Sequence, residues 1–429
     1  MEKQRTIVDL PLEILDLIFN QLRKHHEKLN LALAHPVLED AFAYHSRHLF
    51  EEIRPWSYLS FESWSILLKH CGRNVRSLTT SMKWDPEVGK LIAEYCPRLE
   101  TLCCYVKDKH DQSIQTFLFR IMDRLKSVEI HVPYKFYPSI VSSLLAAPNL
   151  RKLTYVPSDE GEVYDIKKLK RLEELTINTR KHLWNYSINI TEICTPLKNL
   201  RTLHLLNVHF RTLGTGPSTT WPSLEELHIK DCKISGEIPQ CPRIKVFQIS
   251  KCRSHRNGVI HSFLASHVKT LERLEVNRNN QSITAFQFLD FIKFAKNLTY
   301  FNWGLEHFDL ERERFLRALL RILQENGFSE DKPFELVSHN ETELYNLSLL
   351  LPHLPNHQII SLKSDMPTLT PHILDLGNEG LAAKDPNNRR TRSQGPDFEC
   401  GNAHACVSLP LVLGVGSSPG GAVVIFCFS

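Results

Sequence analysis

The first residues, Met1-Glu2-Lys3-Gln4-Arg5-Thr6, lack an apolar signal region and small cleavage-type residues, so no secretion is expected. Net charge is nearly missing too. The 52 Lys+Arg against 48 Asp+Glu leave a formal +4 over 429 residues. So slight a bias argues against a dedicated nucleic-acid binder, which needs clustered basic charge. Catalytic and metal signatures are also missing: there is no His-Glu-x-x-His, Gly-x-Ser-x-Gly, Walker phosphate loop or paired Cys-x-x-Cys. Cys400, His404 and Cys406 are too few and too badly spaced for zinc. Neither an enzyme, a metal nor any other cofactor is therefore expected.

What is present is ordinary for a soluble globular chain: 42% hydrophobic and 23% charged residues. The length suggests two or three units. The 11 cysteines are scattered and odd in number, which fits free thiols in a reducing compartment, most of them small core residues. Placement in the cytoplasm, the nucleus or both is expected. The Asn-x-Ser/Thr sequons, such as those at Asn185 and Asn280, are then chance matches.

The most specific local signal is Asp9-Leu10-Pro11-Leu12-Glu13-Ile14-Leu15-Asp16-Leu17-Ile18-Phe19-Asn20-Gln21-Leu22. Pro11 stands where a helix begins and its missing N–H costs nothing. Glu13 and Asp16 put negative charge near the helix start, where the dipole favours it. Leu15, Ile18, Phe19 and Leu22 follow helical spacing and form one apolar stripe. A second helix is expected from Leu29 to about Glu39, broken or kinked by Pro36, and a third from about Asp40 to Ile53. Three helices of this size bury too little surface to stand alone. A partner or the next domain must cover some of their apolar residues.

From residue 75 a phrase L-x-x-L-x-L recurs, with substitutions. It starts at Val75, Leu99, Leu125, Leu150, Leu172, Leu200, Leu224, Ile244, Leu271 and Leu298. The starts lie between 20 residues (Leu224 to Ile244) and 28 residues (Leu172 to Leu200) apart. This is the leucine-rich-repeat signature, a short strand plus a return in each unit. Cys232, Cys252 and Asn279 occupy the position where the repeat asks for Asn or Cys, turned inward to bond the backbone of the turn. The spacers 113–125, 136–146 and 283–295 read as helices, and Lys233 to Gln240 as irregular. A longer helical segment runs from Leu305 to Phe328, with Gly327 as its C-terminal cap. Phe334–Val337 and Ile359–Leu362 are candidate final strands. The fold class that follows is α/β: N-terminal helices, then a repeat solenoid or horseshoe with a parallel sheet on its concave face.

The opening Leu10-Pro11-x-Glu13-Ile14-x-x-x-Ile18-Phe19-x-x-Leu22 resembles the start of the F-box over about residues 7–53. It departs from that family in its second half, where Ala34-His35-Pro36-Val37 replaces the usual tryptophan. Cys96-Pro97-Arg98-Leu99 and Cys241-Pro242-Arg243-Ile244 resemble the cysteine-containing repeats of F-box proteins. The resemblance implies a non-catalytic substrate receptor of a Skp–Cullin–F-box ubiquitin ligase. Its F-box would hold a Skp-type adaptor, and through it a cullin, and its repeats a protein target. Adaptor-binding residues would be Leu10, Pro11, Leu12, Ile14, Leu15, Ile18, Phe19 and Leu22. The domains would be an F-box at 7–53, a linking helix at 54–74 and repeats at 75–330. Terminal repeats or a cap at 331–375 and a disordered tail at 376–429 would follow. The alternatives are a repeat scaffold or inhibitor without a ligase, an enzyme with no recognisable motif, and a tail-anchored receptor. The last is disfavoured because glycines and Pro419 break the apolar stretch 405–429.

Strand alternation places one residue of each phrase on the open face. That row reads Thr79, Cys103, Glu129, Thr154, Thr176, His204, His228, Gln248, Glu275 and Asn302. Only Cys104 of the Cys103-Cys104 pair is expected to be buried. From this row and its flanks, Tyr105, Glu129, Glu174, His204, His228, Lys230, Arg273 and Tyr300 are the candidate target-binding residues. His204 and His228 should be close neighbours. They read as two exposed polar residues before they read as a pH sensor or metal ligands. Trp56, Trp64 and Trp84 are expected to fill the junction between the helices and the repeats.

Overall fold

The computed structural model describes residues 6–364 apart from 54–58, 80–84, 107–112, 133–139, 158–159, 180–186, 213–219, 278–283, 304–311 and 339. The tail, Asn279, Trp56 and Trp84 lie outside the described residues. No described helix is long and apolar enough to cross a membrane.

Three helices open the chain: α1 (Leu12–Gln21), α2 (His25–Leu33) and α3 (Pro36–Ser46). The boundary between the second and third differs from the sequence expectation. Pro36 does not kink a helix; it begins one. The His35 side chain accepts the Val37 N–H at 3.2 Å, so Pro36 takes the first-turn position where no donor is needed. The third helix cannot run on to Ile53, because Phe50 sits at φ 65°, in the left-handed region that a helix excludes. The core of the bundle is Leu15, Phe19, Leu29, Leu38 and Phe42, all essentially buried.

The chain then alternates strand and return. Its elements are β1 (Glu52–Ile53), α4 (Phe61–Cys71), β2 (Ser77–Thr79), α5 (Pro86–Tyr95), β3 (Thr101–Tyr105), α6 (Ser113–Ile121), β4 (Ser127–His131), β5 (Lys152–Val156), α7 (Glu160–Val163), β6 (Glu174–Asn178), β7 (Ile188–Asn189), α8 (Ile190–Cys194), β8 (Thr202–Leu206) and β9 (His209–Arg211). There follow β10 (Glu226–Lys230), β11 (Lys233–Ser235), β12 (Val246–Ser250), β13 (Arg253–Ser254), α9 (Val259–His267), β14 (Arg273–Asn277), α10 (Ala285–Ile292), β15 (Tyr300–Trp303), α11 (Arg312–Glu325), β16 (Phe334–Ser338), α12 (Glu341–Leu350) and β17 (Ile360–Ser364).

Thirteen of these strands form one sheet, ordered β1-β2-β3-β4-β5-β6-β8-β10-β12-β14-β15-β16-β17, and every pairing is parallel. This is a leucine-rich-repeat-type solenoid. Leu102, Val128, Leu153, Leu175, Leu203, Leu227, Phe247, Leu274 and Phe301 align in one buried row, and the returns cover it. The sheet is longer than the 75–330 span at both ends, since β1 pairs with β2, and β16 and β17 extend it to Ser364.

Two devices hold consecutive units in step. In several repeats the residue before the opening leucine-type position reaches back one repeat. Asn149 donates to Asp123 O at 2.7 Å, Asn199 to Lys170 O at 3.2 Å, Ser223 to Lys198 O at 2.6 Å and Asn297 to Lys269 O at 2.7 Å. The second device is a turn after the strand. Asn207, Asp231 and Lys251 adopt φ of 53–55°, and the next residue, Val208, Cys232 or Cys252, is buried. The Cys232 thiol lies 3.2 Å from both Leu205 O and Lys230 O, and the Cys252 thiol 3.2 Å from Ser250 O. The repeat's inward cysteine thus satisfies the turn it closes.

Each such turn directs the chain into a second, small parallel sheet, β13-β11-β9-β7. Lys233 to Gln240 is therefore not irregular throughout, because β11 belongs to this sheet. Gly236 ends it at φ 112°, where a Cβ would lie 2.3 Å from Thr212 Oγ1. The return at 136–146 is a 3₁₀ turn over Ile140–Leu144 and not an α-helix in its described part. Gly327 closes α11 at φ 88°, with Phe328 N donating to Leu323 O and Gly327 N to Gln324 O, both at 3.0 Å.

Candidate functional site

The sequence reading placed eight adaptor-binding residues on and before α1, and the structure sorts them into two sets. Leu15 and Phe19 are 1% and 0% exposed. They pack inward, with the Phe19 ring 5.9 Å from Phe42 and stacked at 5.6 Å on His45. These two are therefore core, and their correction follows from helical geometry: the i, i+4 pair faces α3. Ile18 and Leu22 are partly buried against the same core. Leu10, Pro11, Leu12 and Ile14 remain exposed. Leu17, which the sequence reading did not select, is more exposed than any of these leucines and isoleucines, at 57%.

This surface is unusually apolar. Of the sixteen exposed large hydrophobic side chains among the described residues, nine fall between residues 7 and 49. They are Ile7, Leu10, Leu12, Ile14, Leu17, Leu33, Val37, Tyr44 and Leu49. On α1, Ile14, Leu17 and Ile18 stand at i, i+3, i+4 beside the buried Leu15–Phe19 face. Single exposed apolar residues are common; what sets this segment apart is their concentration between residues 7 and 49.

Beneath it lies a polar chain inside the bundle. His45 bonds Asp16 through Nδ1 and Lys28 Nζ through Nε2, each at 2.8 Å. Burial lowers the pKa of Lys28 and opposes the raising effect of Asp16. Burial also lowers His25, with Lys28 and His45 adding to the effect. Across the junction, Glu39 of α3 accepts from Lys69 and His70 of α4 at 2.9 and 2.8 Å. Those bonds, His70's first, hold its carboxyl below the usual range. Trp64 packs partly buried against the core at this junction.

The second surface is the open face of the sheet. The row anticipated from alternation is in register strand by strand from Thr79 to Asn302, and continues through Val337 and Lys363. Most of it is half-exposed, but Cys103, Asn302 and Val337 are buried. Cys103 is closed in beside Glu129, so both members of the Cys103-Cys104 pair are buried. Burial, and next the Glu129 charge, pushes the Cys103 thiol up to about 12.

The candidate target-binding residues fall into separate groups on this face. Tyr105 stacks on His131, and His131 Nε2 donates to Glu129 at 2.6 Å. Glu174 pairs with Lys152 at 2.8 Å. His204 and His228 stack with ring centroids 4.2 Å apart and an angle of 9° between planes. His228 Nδ1 donates to Gln248 at 2.5 Å. Arg273 lies 3.6 Å over the Tyr300 ring and 3.1 Å from Glu275. Tyr300 is therefore covered by its neighbour and not an open aromatic anchor. Lys230 is exposed at the end of its strand. Sequence reasoning did not select His131, the centre of the first group.

No family model matches the chain, and no curated protein matches it. Among solved structures, it is similar to TLR13 in the crystal structure of the TLR13–ssRNA13 complex, with 11% identity and a TM-score of 0.34. That alignment covers 67% of this chain, which spans 37% of the length of that one.

Proposed function

We propose that this chain is an F-box-type substrate receptor, with α1–α3 docking a Skp-type adaptor and, through it, a cullin. The open face of the repeats would hold a protein target. The observation that carries the reading is the concentration of exposed apolar side chains on the N-terminal helices. In a chain with a well-filled solenoid core, they need a partner to cover them. The resemblance of the opening motif around Leu10 and Pro11 to the F-box supports a Skp-type adaptor as that partner. Catalysis would then be proximity, with the nucleophile supplied by other subunits. Such a receptor works in the cytoplasm, the nucleus or both. On the target side, aromatic, imidazole and paired charged groups on one face suit a protein surface better than a small apolar ligand.

The test is binding of the full chain to a purified Skp-type adaptor by calorimetry. Leu12→Asp/Leu17→Asp puts charge on the exposed face and is expected to weaken binding more than ~100-fold. That corresponds to roughly 2.8 kcal/mol, and the unfolding midpoint should stay the same. Phe19→Ala would mislead as a binding control, because emptying a core site costs about 3–5 kcal/mol of stability. A well-folded wild-type chain that does not bind the adaptor would overturn the proposal and make the scaffold reading the leading one.

A further inference from the structure

The group around His131 brings together three side chains of metal-ligating chemistry. Cys103 on β3 pairs in register with Glu129 on β4, and His131 follows two residues later opposite Tyr105. Residues two apart on a strand share a face, so thiol, carboxylate and imidazole all point to the open side of the sheet. One ligand atom from each lies within 4.8 Å of the other two. The Tyr105 ring, stacked 4.1 Å from that of His131 at 16°, limits how the imidazole can turn. Cys103 is 9% exposed, and the side chains of His131 and Glu129 are 19% and 41% exposed, so thiol and imidazole are largely shielded while the carboxylate faces solvent.

We propose that Cys103, Glu129 and His131 form a three-ligand site for a borderline divalent cation, Zn²⁺ foremost, with its fourth coordination position open toward the sheet's outer side. The donor set decides the class of metal. Mg²⁺ and Ca²⁺ take oxygen ligands, whereas thiolate with imidazole suits Zn²⁺. Bond lengths of about 2.3 Å to sulfur and about 2.0–2.2 Å to nitrogen and oxygen place tetrahedral ligand atoms roughly 3.3–3.7 Å apart. The three ligand atoms already lie within 4.8 Å of one another. Metal binding requires the 2.6 Å contact between His131 and Glu129 to open to about 3.3 Å, a change of the size that side-chain torsions supply. Three protein ligands with one open position differs from closed structural zinc sites, in which the protein fills all four positions. Here the open position faces the row of half-exposed side chains, where a water or a side chain of a docked protein completes the shell. The site is independent of the adaptor proposal, since it lies on different elements and needs no partner to form.

The experiment takes the full chain stripped with a chelator and titrates it with Co²⁺, then Zn²⁺. One equivalent of Co²⁺ is expected to give a thiolate-to-cobalt charge-transfer band and intense visible bands of tetrahedral type, both abolished by Zn²⁺. Cys103→Ser should remove the charge-transfer band. Glu129→Gln and His131→Gln should each lower Zn²⁺ affinity beyond the roughly 10–100-fold that losing even an outer-shell partner costs. Cys400→Ser/His404→Gln/Cys406→Ser should change nothing. Wild-type protein with a native circular dichroism spectrum and no charge-transfer band would overturn the site, as would a band that survives in Cys103→Ser. Should Cys103→Ser not fold, unchanged Zn²⁺ affinity in both Glu129→Gln and His131→Gln decides against it.

Discussion

His204 lies stacked on His228 in the middle of the open face, and its burial makes it responsive to acid. Burial first, then the neighbouring His228 and Lys152, lower its pKa from 6.5 to about 4, with Glu174 opposing. The folded state thus binds its proton later than the unfolded state does. The stability this contributes is complete above about pH 6.5 and is lost as pH falls through about 4. Thermal unfolding followed from pH 7 to pH 4 should show a smaller acid-induced drop in His204→Gln than in the wild type. Equal drops would mean that His204 is solvated in solution. His267 behaves in the same direction for the same leading cause, burial, and its tautomer is set by a local pair of bonds. Nδ1 donates to Phe263 O at 2.7 Å and Nε2 accepts from Cys241 N at 2.8 Å. Nothing in the sequence around His267 announces this. The partners are 4 and 26 residues away and meet only when one repeat packs on the next.

Lys251 belongs to the turn that follows each strand in the best-formed repeats, and its φ of 54° is a conformation that costs a side-chain-bearing residue about 1–2 kcal/mol. Lys251→Gly relieves that strain but frees the unfolded chain, so its net effect on stability should be within about 1 kcal/mol and favourable in sign. Lys251→Val, β-branched in the same place, should destabilise by more than about 1 kcal/mol. Urea unfolding of the two variants checks this, and a valine variant as stable as the wild type would contradict the turn. At this scale the sequence was partly readable. The inward cysteine after β10 and β12 was visible as a repeat position, and it does bond the turn. The strand after that turn was not, because Lys233-Ile234-Ser235 is too short for periodicity to register and pairs only with other short strands. Pro36 misled for a related reason: a proline can stop one helix or start another, and the His35 cap that decides between them is a side-chain geometry. In α1 the apolar stripe was legible but its destination was not. Leu15 and Phe19 turned out to complete the bundle, and Leu12 and Leu17 are the ones left outside it.

The whole solenoid adds one unit to the next, so each unit depends mainly on its immediate neighbours. Val128 in β4 and Val276 in β14 both point into the core and are buried, with β5, β6, β8, β10 and β12 between them. Val128→Ala and Val276→Ala should therefore add in the double variant to within about 0.5 kcal/mol. A larger coupling, measured by chemical denaturation, would show that distant repeats cooperate more than this construction implies. The repeat phrase made the sheet's order and register legible over most of its length, because alternation of leucine-type and polar residues is a local property. The metal-ligand cluster was not legible. Its donors come from two strands whose phrases start 26 residues apart (Leu99 and Leu125), a spacing no short motif would capture.

Thirteen parallel strands side by side also set a ruler. At about 4.8 Å between neighbours, the aligned row from Thr79 on β2 to Lys363 on β17 measures roughly 53 Å along the sheet. A metabolite can touch two or three positions of it at once. To meet Glu129 and Glu275 together, a ligand must be a folded domain, or an extended peptide lying across the strands at about 3.4 Å per residue. Such a reader senses the order of side chains along the row as well as their identity, and could be discriminated by where along the ruler its contacts fall.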